Sequence, residues 1–396
     1  MIDDSVVLDF EKKFPYLWKK IDILCHGINR DMEGILDELY ALQNPLDTQR
    51  TGNVGLQAKI DEEKLALNIA VYKDFCKSSP YQLRYDLNNR LAIYNNIDDS
   101  YIEVCCSSCP PDWYRQKLSN GHFVGEFILL EGEYTAIASI SKGCIYFNHE
   151  TQCKFCAIGP EEMNDSGISS QEHRESVLES LKYVVKDDSV KNIHLTGGNT
   201  YSIDRGAKGY YPFVEEICNL DSKKQVAVEI PPPSMEVQLE IFEHLKYLGT
   251  DSITMNIELW DDDWRREIMP EKGRISKDEY IAAYKTALEV FGKNKVTCGF
   301  IVGIEPINNT KLGIDVLSSM GVITEVYPFK PNKGSLMDNH AITPTNDIIS
   351  VSLYASMLMN RYDINPAMCS GCVKCGACGL TQQLFEYKIF GGKEYV

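Results

Sequence analysis

Three cysteines near the middle of the chain have the type and spacing that metal chemistry requires. Cys144, Cys153 and Cys156 lie in the run KGCIYFNHETQCKFCAIG, at the spacing C-x8-C-x2-C. Three thiolates from one loop are one short of the four that normally enclose an iron–sulfur cube, so the remaining iron can bind a small molecule. Phe155 stands directly before the last cysteine, where an aromatic ring can shield one side of a cluster. The loop therefore predicts an iron–sulfur site with one iron open to a ligand.

A second group of cysteines lies near the C-terminus, in the run MCSGCVKCGACG. Its members are Cys369, Cys372, Cys375 and Cys378, at the spacing C-x2-C-x2-C-x2-C. This spacing resembles a ferredoxin cluster run, which has one more residue before its fourth cysteine. Four thiolates can also enclose zinc, although zinc sites more often separate two C-x2-C pairs by a longer stretch. We predict an auxiliary iron–sulfur cluster here, with zinc as the alternative.

The tight spacing of this tail favours a further ligand from elsewhere in the chain. The weaker candidates are Cys105, Cys106 and Cys109, in the run EVCCSSCPP. Adjacent cysteines rarely both bind one cluster, so simple packing is an equal alternative for one or two of them. The isolated Cys218 and Cys298 are expected to be core residues.

Composition bounds the class of protein. The chain has 396 residues, of which 44% are hydrophobic, which suffices for one large domain with an extension or for two smaller ones. The first residues lack the basic and apolar regions of a signal peptide, and no run of about eighteen apolar residues indicates a membrane span. We expect a cytoplasmic protein whose 14 reduced cysteines serve metal binding or catalysis. The net charge of −17 disfavours a nucleic-acid partner, because neutralising phosphates needs a basic face.

The hydrophobic pattern divides the chain into four predicted parts. They are a helical N-terminal extension (1–80), a small β-rich lead-in (81–134), an alternating α/β region (135–330), and a C-terminal helix with the cysteine-rich tail (331–396). The helical prediction for the extension depends on the spacing of apolar residues in 16–42 and 61–76. Short β-prone runs between turn residues define the lead-in.

The alternating region predicts six strands with helices between them. The predicted strands are 135–140, 192–197, 225–230, 252–258, 296–303 and 323–329. The predicted helices are 171–187, 211–220, 234–248, 276–292 and 310–320, followed by a last helix at 345–361. Such alternation indicates the α/β class, with a parallel sheet that is either doubly wound or a partial barrel. Ligands bind at the carboxyl ends of these strands, where the cysteine loop follows the first one.

Glycines and carboxylates mark the ends of the other predicted strands. The second strand ends in Thr196, Gly197, Gly198 and Asn199, and the fifth carries Gly299, Ile301, Gly303 and Glu305. Paired glycines let the backbone approach a ligand closely. Glu229 and Glu258, at the ends of the third and fourth strands, could meet a ribose or an amine.

In this order and position, the features resemble the radical S-adenosylmethionine (SAM) superfamily over about residues 135–330. That family usually spaces its loop C-x3-C-x2-C with an aromatic before the last cysteine, whereas the first gap here is five residues longer. Residues 196–199 resemble the family's GGE motif with Asn199 in place of the acid, and the related Thr-Gly-Gly-Ser form occurs in the biotin-synthase-like branch. The run GFIVGIE resembles the GxIxGxxE strand beside the adenine, one residue shorter before the acid. The branch looks closest to biotin synthase and lipoyl synthase.

The resemblance implies a partial (β/α)6 TIM-like barrel with a [4Fe–4S] cluster held by Cys144, Cys153 and Cys156. The implied SAM contacts are Phe155, Thr196, Gly197, Gly198, Asn199, Glu229, Glu258, Gly299, Ile301 and Gly303. The implied activity is reductive cleavage of SAM to a 5′-deoxyadenosyl radical, which abstracts hydrogen from a small-molecule substrate. A flavodoxin- or ferredoxin-type reductant would supply the electron. No catalytic side chain is assigned.

Several alternatives remain open at this point. An auxiliary cluster in the tail could donate sulfur or bind substrate, as in lipoyl synthase, or it could relay electrons. The substrate could be a peptide or protein, with residues 1–80 as the docking segment. A non-catalytic electron carrier or a zinc-stapled scaffold is the alternative of another class, and it has no use for glycine and acid strand ends.

Basic side chains after the strands complete the candidates. Arg266 or Arg274 could pair a carboxylate of SAM or substrate, although a solvated face is the more frequent role of such runs. Lys330 follows the sixth strand, in a good position for substrate. His149 lies inside the cysteine loop and is expected to be an ordinary loop residue.

Overall fold

The computed structural model describes residues 4–30, 34–44, 55–60, 64–106, 110–159, 168–220 and 223–387. Within them the chain forms a five-stranded antiparallel sheet and a larger seven-stranded sheet. The strands of the first are β1 (Leu56–Ile60), β2 (Leu65–Ile69), β3 (Tyr81–Tyr85), β4 (Leu91–Asn95) and β5 (Ser100–Cys106). Their spatial order is β2-β1-β5-β4-β3.

The strands of the second sheet are β6 (Ile128–Glu131), β7 (Thr135–Ser139), β8 (Asn192–Thr196), β9 (Gln225–Glu229), β10 (Ser252–Thr254), β11 (Val296–Val302) and β12 (Ile323–Pro328). They lie in sequence order, and β7 to β12 are all parallel. Strand β6 pairs antiparallel with β7 at one edge. The sheet curls into a half-barrel, the partial-barrel form of the α/β class that the sequence predicts.

The α-helices are α1 (Asp4–Lys13), α2 (Pro15–His26), α3 (Ile35–Gln43), α4 (Ser170–Val184), α5 (Tyr211–Asn219), α6 (Gln238–Leu248), α7 (Asp262–Ile268), α8 (Lys277–Phe291), α9 (Ile307–Met320), α10 (Thr345–Arg361), α11 (Cys372–Cys375) and α12 (Thr381–Glu386). Local signals set several of these ends. A capping box between Ser276 and Glu279 begins α8. Gly249, with φ of 109°, ends α6 in the left-handed conformation that glycine adopts without a Cβ penalty.

The helical prediction for residues 61–76 is wrong for 64–76, and 61–63 lie outside the described residues. Leu65 and Ile69 are four residues apart, as on a helix face, but with Leu67 they also alternate as on a strand. In the structure all three are buried side chains of β2, which pairs with β1. The short apolar run fits both periods, and pairing with a distant strand decides between them. Strand β6, from the predicted lead-in, joins the larger sheet rather than the smaller one.

The two faces of the half-barrel differ in chemistry. Residues such as Ile193, Leu195 and Val228 point outward and are buried in the apolar core. Successive side chains of a strand point to opposite faces, so the residues between them point inward. Those inward positions carry polar groups, including His194 on β8 and Glu229 on β9. Burying polar groups costs free energy unless they are paired. A polar inner wall is therefore typical of a functional site rather than of an apolar core.

Among the residues described, no helix has both the length and the apolar character needed to cross a membrane.

Candidate functional site at the carboxyl ends of the strands

The cysteine loop begins where β7 ends and stays attached to the end of β8. The Ile140 N–H continues the β7–β8 pairing by donating to the carbonyl of Thr196, at 2.8 Å. The Gly198 N–H donates to the Ser141 hydroxyl at 2.6 Å. The Asn199 N–H then donates to the sulfur of Cys144 at 3.4 Å. The predicted Gly-Gly turn is therefore part of the wall that holds the first cysteine.

Gly198 is necessary for this close approach. A Cβ atom at this position would lie 2.1 Å from the carbonyl oxygen of Gly143 and 2.5 Å from the Cα of Cys144. Both are backbone atoms, so no side-chain rotation could relieve the clash. At Gly197 the nearest atom to such a Cβ would be the Ser141 hydroxyl, at 2.9 Å. The absence of side chains lets the end of β8 pack directly on the loop.

The other two cysteines lie in a tight turn that docks on an apolar cluster. The Cys156 N–H donates to the carbonyl of Cys153 at 2.9 Å, and the Ile158 N–H faces the sulfur of Cys156 at 3.5 Å. Cys153 and Phe155 pack, together with Ile301 of β11, on buried residues that follow the strands. Those residues are Leu259, Ile268, Met269, Ile304, Phe329 and Met337. This apolar support excludes water from one side of the loop.

The three thiols suit a metal cluster better than they suit the free state. Each is free of a disulfide bond. Burial raises the pKa of the Cys156 thiol to about 11, and the neighbouring Cys144 thiol adds to the rise although the Ile158 N–H opposes it. Burial also raises the pKa of Cys153. A bound metal reverses this balance because it deprotonates its thiol ligands, and N–H donors then stabilise the thiolates. Both N–H groups that face sulfur are in place for that role.

A buried ion pair lies beside the loop. The Lys272 ammonium is 2.9 Å from a Glu258 carboxylate oxygen, and both side chains are 14% exposed. Burial would lower the pKa of Lys272, but the Glu258 carboxylate, together with Tyr280 and Cys153, outweighs it and raises that pKa. Glu258 itself has a φ of 66°, an uncommon conformation for a residue with a side chain. The predicted acid at the end of the fourth strand is thus held against a lysine that the sequence reasoning did not select.

The predicted basic residues near this pair are solvated. The Arg266 side chain is 63% exposed and pairs with Asp263, and the Arg274 side chain is 74% exposed and pairs with Glu271. His149 is exposed as well. No sequence signal distinguishes Lys272 from these neighbours. Its importance follows from burial beside a carboxylate, which only the folded chain shows.

Three further residues predicted to contact SAM, namely Glu229, Gly299 and Gly303, lie outside the cysteine loop. A carboxylate oxygen of Glu229 accepts a hydrogen bond from Asn256 at 3.1 Å, and the Asn256 side chain in turn accepts from the Gly299 N–H at 2.8 Å. Gly303, with φ of 104°, packs against Thr343, where a Cβ would lie 2.3 Å from the hydroxyl. Gly299 thus makes room for Asn256, while Gly303 forms a turn.

Glu305 has a structural role. Its carboxylate accepts hydrogen bonds from the N–H groups of Trp260 and Asp261, at 2.9 and 3.0 Å, and from the Thr310 hydroxyl at 3.0 Å. The side chain is buried, and burial raises the pKa of its carboxyl group. The acid of the GFIVGIE run therefore anchors the segment after Glu258.

The cysteine-rich tail lies at the opposite end of the half-barrel. The Gly371 N–H donates to the side chain of Asn192 at 2.9 Å, and Lys374 donates to Gln225 at 3.0 Å. Asn192 and Gln225 are the first residues of β8 and β9. The tail therefore closes the half-barrel at the amino ends of its strands, about one strand length from the loop.

The four cysteines of the tail differ in their nearest neighbours. Cys369 is buried in an apolar cluster with Ile323, Met359, Ile364 and Val373. Cys375 lies against Gly132, at the turn between β6 and β7. Burial raises the pKa of Cys378 to about 11 although the nearby Lys330 opposes the rise.

The remaining candidate ligands are Cys105, Cys106 and Cys109. Cys105 is exposed on β5, opposite Lys59 of β1. The side chain of Cys106 and the whole of Cys109 lie outside the described residues. Cys298 is a core residue as expected, whereas Cys218 is exposed rather than buried.

Comparison with known proteins gives one family match. Residues 139–313 match the model described as the radical SAM superfamily. No curated protein matches the chain. Among solved structures, methylornithine synthase is 13% identical with a TM-score of 0.46, over 63% of this chain and 70% of that one.

In two other solved structures, the part that matches this chain is about half of the known protein. Coproporphyrinogen III oxidase from Escherichia coli is 11% identical with a TM-score of 0.39, over 58% of this chain and 53% of that one. An FeFe-hydrogenase maturase from Carboxydothermus hydrogenoformans is 17% identical with a TM-score of 0.43, over 58% and 52%.

Proposed function

We propose that this chain, whose residues 139–313 match the radical SAM superfamily, is an enzyme that binds a [4Fe–4S] cluster through Cys144, Cys153 and Cys156 and binds SAM beside it. The observation that carries the proposal is the arrangement of backbone donors around the loop. N–H groups of Asn199 and Ile158 face the sulfurs of Cys144 and Cys156. When bound, the cluster and SAM supply a 5′-deoxyadenosyl radical that removes hydrogen from an unactivated C–H bond.

The protein's own part is to position ligands and exclude water. The apolar cluster under Cys153 and Phe155 keeps solvent from one side of the loop. The bare backbone of Gly197 and Gly198 lets the end of β8 lie directly against the loop at Cys144. We propose that residues 196–199 bind the methionyl end of SAM, and that Ile301 packs on its adenine.

Glu258 is the carboxylate that we propose for the ribose or the methionyl amine. The Lys272 ammonium, 2.9 Å from this carboxylate, offsets the cost of burying its charge. Glu229, the other candidate carboxylate, already has His194 and Asn256 as partners. We therefore assign Glu229 to the chamber rather than to SAM binding. The chamber is the space inside the half-barrel that faces the inner wall with His194 and Glu229.

A small polar substrate fits the half-barrel better than a protein does. The inner wall carries polar groups, among them Asn256 and the buried Glu325, which accepts a hydrogen bond from Tyr327. The tail closes the amino ends of the strands, so the chamber is reached from the side of the loop. Modification of a peptide or protein remains the alternative, with an electron carrier or zinc-stapled scaffold as the alternative of another class.

Sulfur insertion by an auxiliary cluster has less support. It needs several tail thiols on one cluster, and Cys369 lies among apolar side chains instead. The tail cluster and its ligand set stay a prediction.

The test is an anaerobic assay of the reconstituted full chain with reductant and SAM, in which 5′-deoxyadenosine and loop iron are measured. Wild type should form the nucleoside, and Cys153→Ala should form none. Cys218→Ser is the matched control, because Cys218 is an exposed cysteine of α5 away from both sites. If wild type has a full loop cluster but neither binds SAM in a titration nor forms nucleoside, the proposal fails.

A further inference from the structure

Three metal-ligand atoms converge halfway along the inner wall of the half-barrel. The Nε2 atom of His194 is 3.0 Å from a carboxylate oxygen of Glu229 and 3.8 Å from the sulfur of Cys372. The ligand atoms of the three residues all lie within 4.8 Å of one another. His194 and Glu229 come from neighbouring strands of the barrel, whereas Cys372 begins α11 of the tail, 178 residues from His194 in sequence. The tertiary fold alone makes this group.

The thiol and the carboxylate approach the same nitrogen. A ring nitrogen has either one proton or one lone pair, so Nε2 can form a hydrogen bond with only one of the two groups at a time. A catalytic triad would use both ring nitrogens, one for each partner. Here Nδ1 of His194 is buried and packs on Gly371, where a Cβ would lie 2.7 Å away. A metal ion bound to Nε2 satisfies all three groups at once, which a proton cannot.

The three ligands are held in position by other residues. His194 is 1% exposed. The second carboxylate oxygen of Glu229 accepts from Asn256, which Gly299 holds through its own N–H. Cys372 follows Gly371, whose N–H is bonded to Asn192 at 2.9 Å. Such outer partners orient metal ligands and tune their affinity.

The charge of the chamber also favours a cation. Glu229 and Glu325 both lie near enough to Cys372 to act electrostatically on its thiol. Glu325 is 4% exposed, so its carboxyl group has little water to solvate it. A divalent ion among these groups would offset their mutual repulsion and the cost of burying them.

We propose that His194 Nε2, the Glu229 carboxylate and Cys372 Sγ bind one divalent ion of the zinc class, with its fourth position open to the chamber. One nitrogen, one oxygen and one sulfur donor suit zinc, and three protein ligands with an open position are typical of reactive rather than structural zinc sites. Glu229 is 29% exposed, which marks the side from which a fourth ligand would come. This assignment takes Cys372 out of the four-thiol tail set, and it does not depend on the proposed function.

The test begins with zinc binding to the full chain, purified anaerobically with its loop cluster in place. Zinc content is measured by mass spectrometry, and the ligand shell by X-ray absorption at the zinc edge. We expect one zinc per chain, with one sulfur at about 2.3 Å and nitrogen or oxygen neighbours at about 2.0–2.2 Å. A shell of three or four sulfurs, or no zinc, would overturn the proposal.

Variants then separate this site from a cluster in the tail. His194→Gln and Cys372→Ser should each weaken zinc binding at least about tenfold, because loss of even an outer partner costs about 10–100-fold. Cys375→Ser should bind zinc as wild type does, and so should the exposed-cysteine control Cys218→Ser. Circular dichroism and loop iron check the fold of each variant. Equal loss of zinc in Cys375→Ser would assign the metal to the tail thiols and contradict the proposal.

Discussion

The cysteine loop and the cysteine-rich tail occupy opposite ends of one half-barrel and surround their sulfurs differently. In the loop, backbone N–H groups face Cys144 and Cys156, and the Lys272 charge is close to Cys153. In the tail, Cys372 lies near an imidazole and a carboxylate, and Cys369 is buried in an apolar cluster. Cysteines in the two regions thus suit different chemistry, because their neighbours decide which partner can balance the negative charge of a thiolate. This difference is why we propose a cluster for the loop and a single ion at Cys372.

The largest expected effect separates the two regions by metal content. Cys156→Ser should remove the loop iron and lower 5′-deoxyadenosine formation by at least about 100-fold, because one of three cluster thiolates is lost. Zinc at His194 should stay at its wild-type level. Iron and zinc are counted on the same anaerobic sample, beside the nucleoside assay. Loss of both metals would show that the regions are coupled, contrary to the comparison.

The next effect concerns the buried ion pair beside the loop. Lys272→Met should lower the free energy of unfolding by about 3 kcal/mol, because Glu258 then keeps a buried charge without its partner. The double variant Lys272→Met, Glu258→Gln should recover most of that loss. Urea unfolding of the anaerobic protein measures both. A double variant no more stable than Lys272→Met would show that Lys272 does not stabilise the fold through its ion pair with Glu258.

A smaller effect tests the contact between β8 and the loop. Gly198→Ala should lower nucleoside formation about tenfold, equal to about 1.4 kcal/mol, since the new methyl group would displace the backbone around Cys144. Gly209→Ala is the matched control, because the nearest atom to its Cβ would be Arg174 Nη1 at an ordinary 3.6 Å. If both variants keep wild-type iron and activity, the close approach is not required.

The smallest effect tests the tail. Cys369→Ala should cost about 1 kcal/mol of stability, the ordinary price of a small core truncation, and should leave all metals in place. Thermal unfolding and metal analysis of the same sample check both parts. Loss of metal from Cys369→Ala would return Cys369 to the predicted cluster and weaken the contrast between the two ends.

Much of the barrel could be predicted from the chain, because parallel buried strands are short apolar runs with turn signals between them. All six predicted strands correspond to β7–β12, although β10 is shorter than its prediction. The helix at Asp262–Ile268 was not predicted, since its acidic and basic residues were interpreted as a solvated face. That interpretation holds for Arg266 but not for Arg265, which is fully buried. A charge run does not reveal which of its members the core will cover.

The site was predictable where its residues are neighbours in sequence. The cysteine spacing and the Gly-Gly turn are local features, so their position at a strand end followed from the order of elements. Lys272, Asn256 and His194 carry no such pattern. Lys272 is 14 residues from Glu258, and their pairing depends on the path of the chain between them.

The sequence by itself determined the kind of protein: an α/β half-barrel with a cysteine loop at the carboxyl ends of its strands. Short-range periodicity and spacing carry that information, because strands, turns and metal loops are local structures. Only the tertiary structure decided which charges are buried and which distant donors meet. The contact of Cys372 with His194 joins the tail to β8 across 178 residues. Such a contact follows from how the whole chain packs, and no local pattern records it.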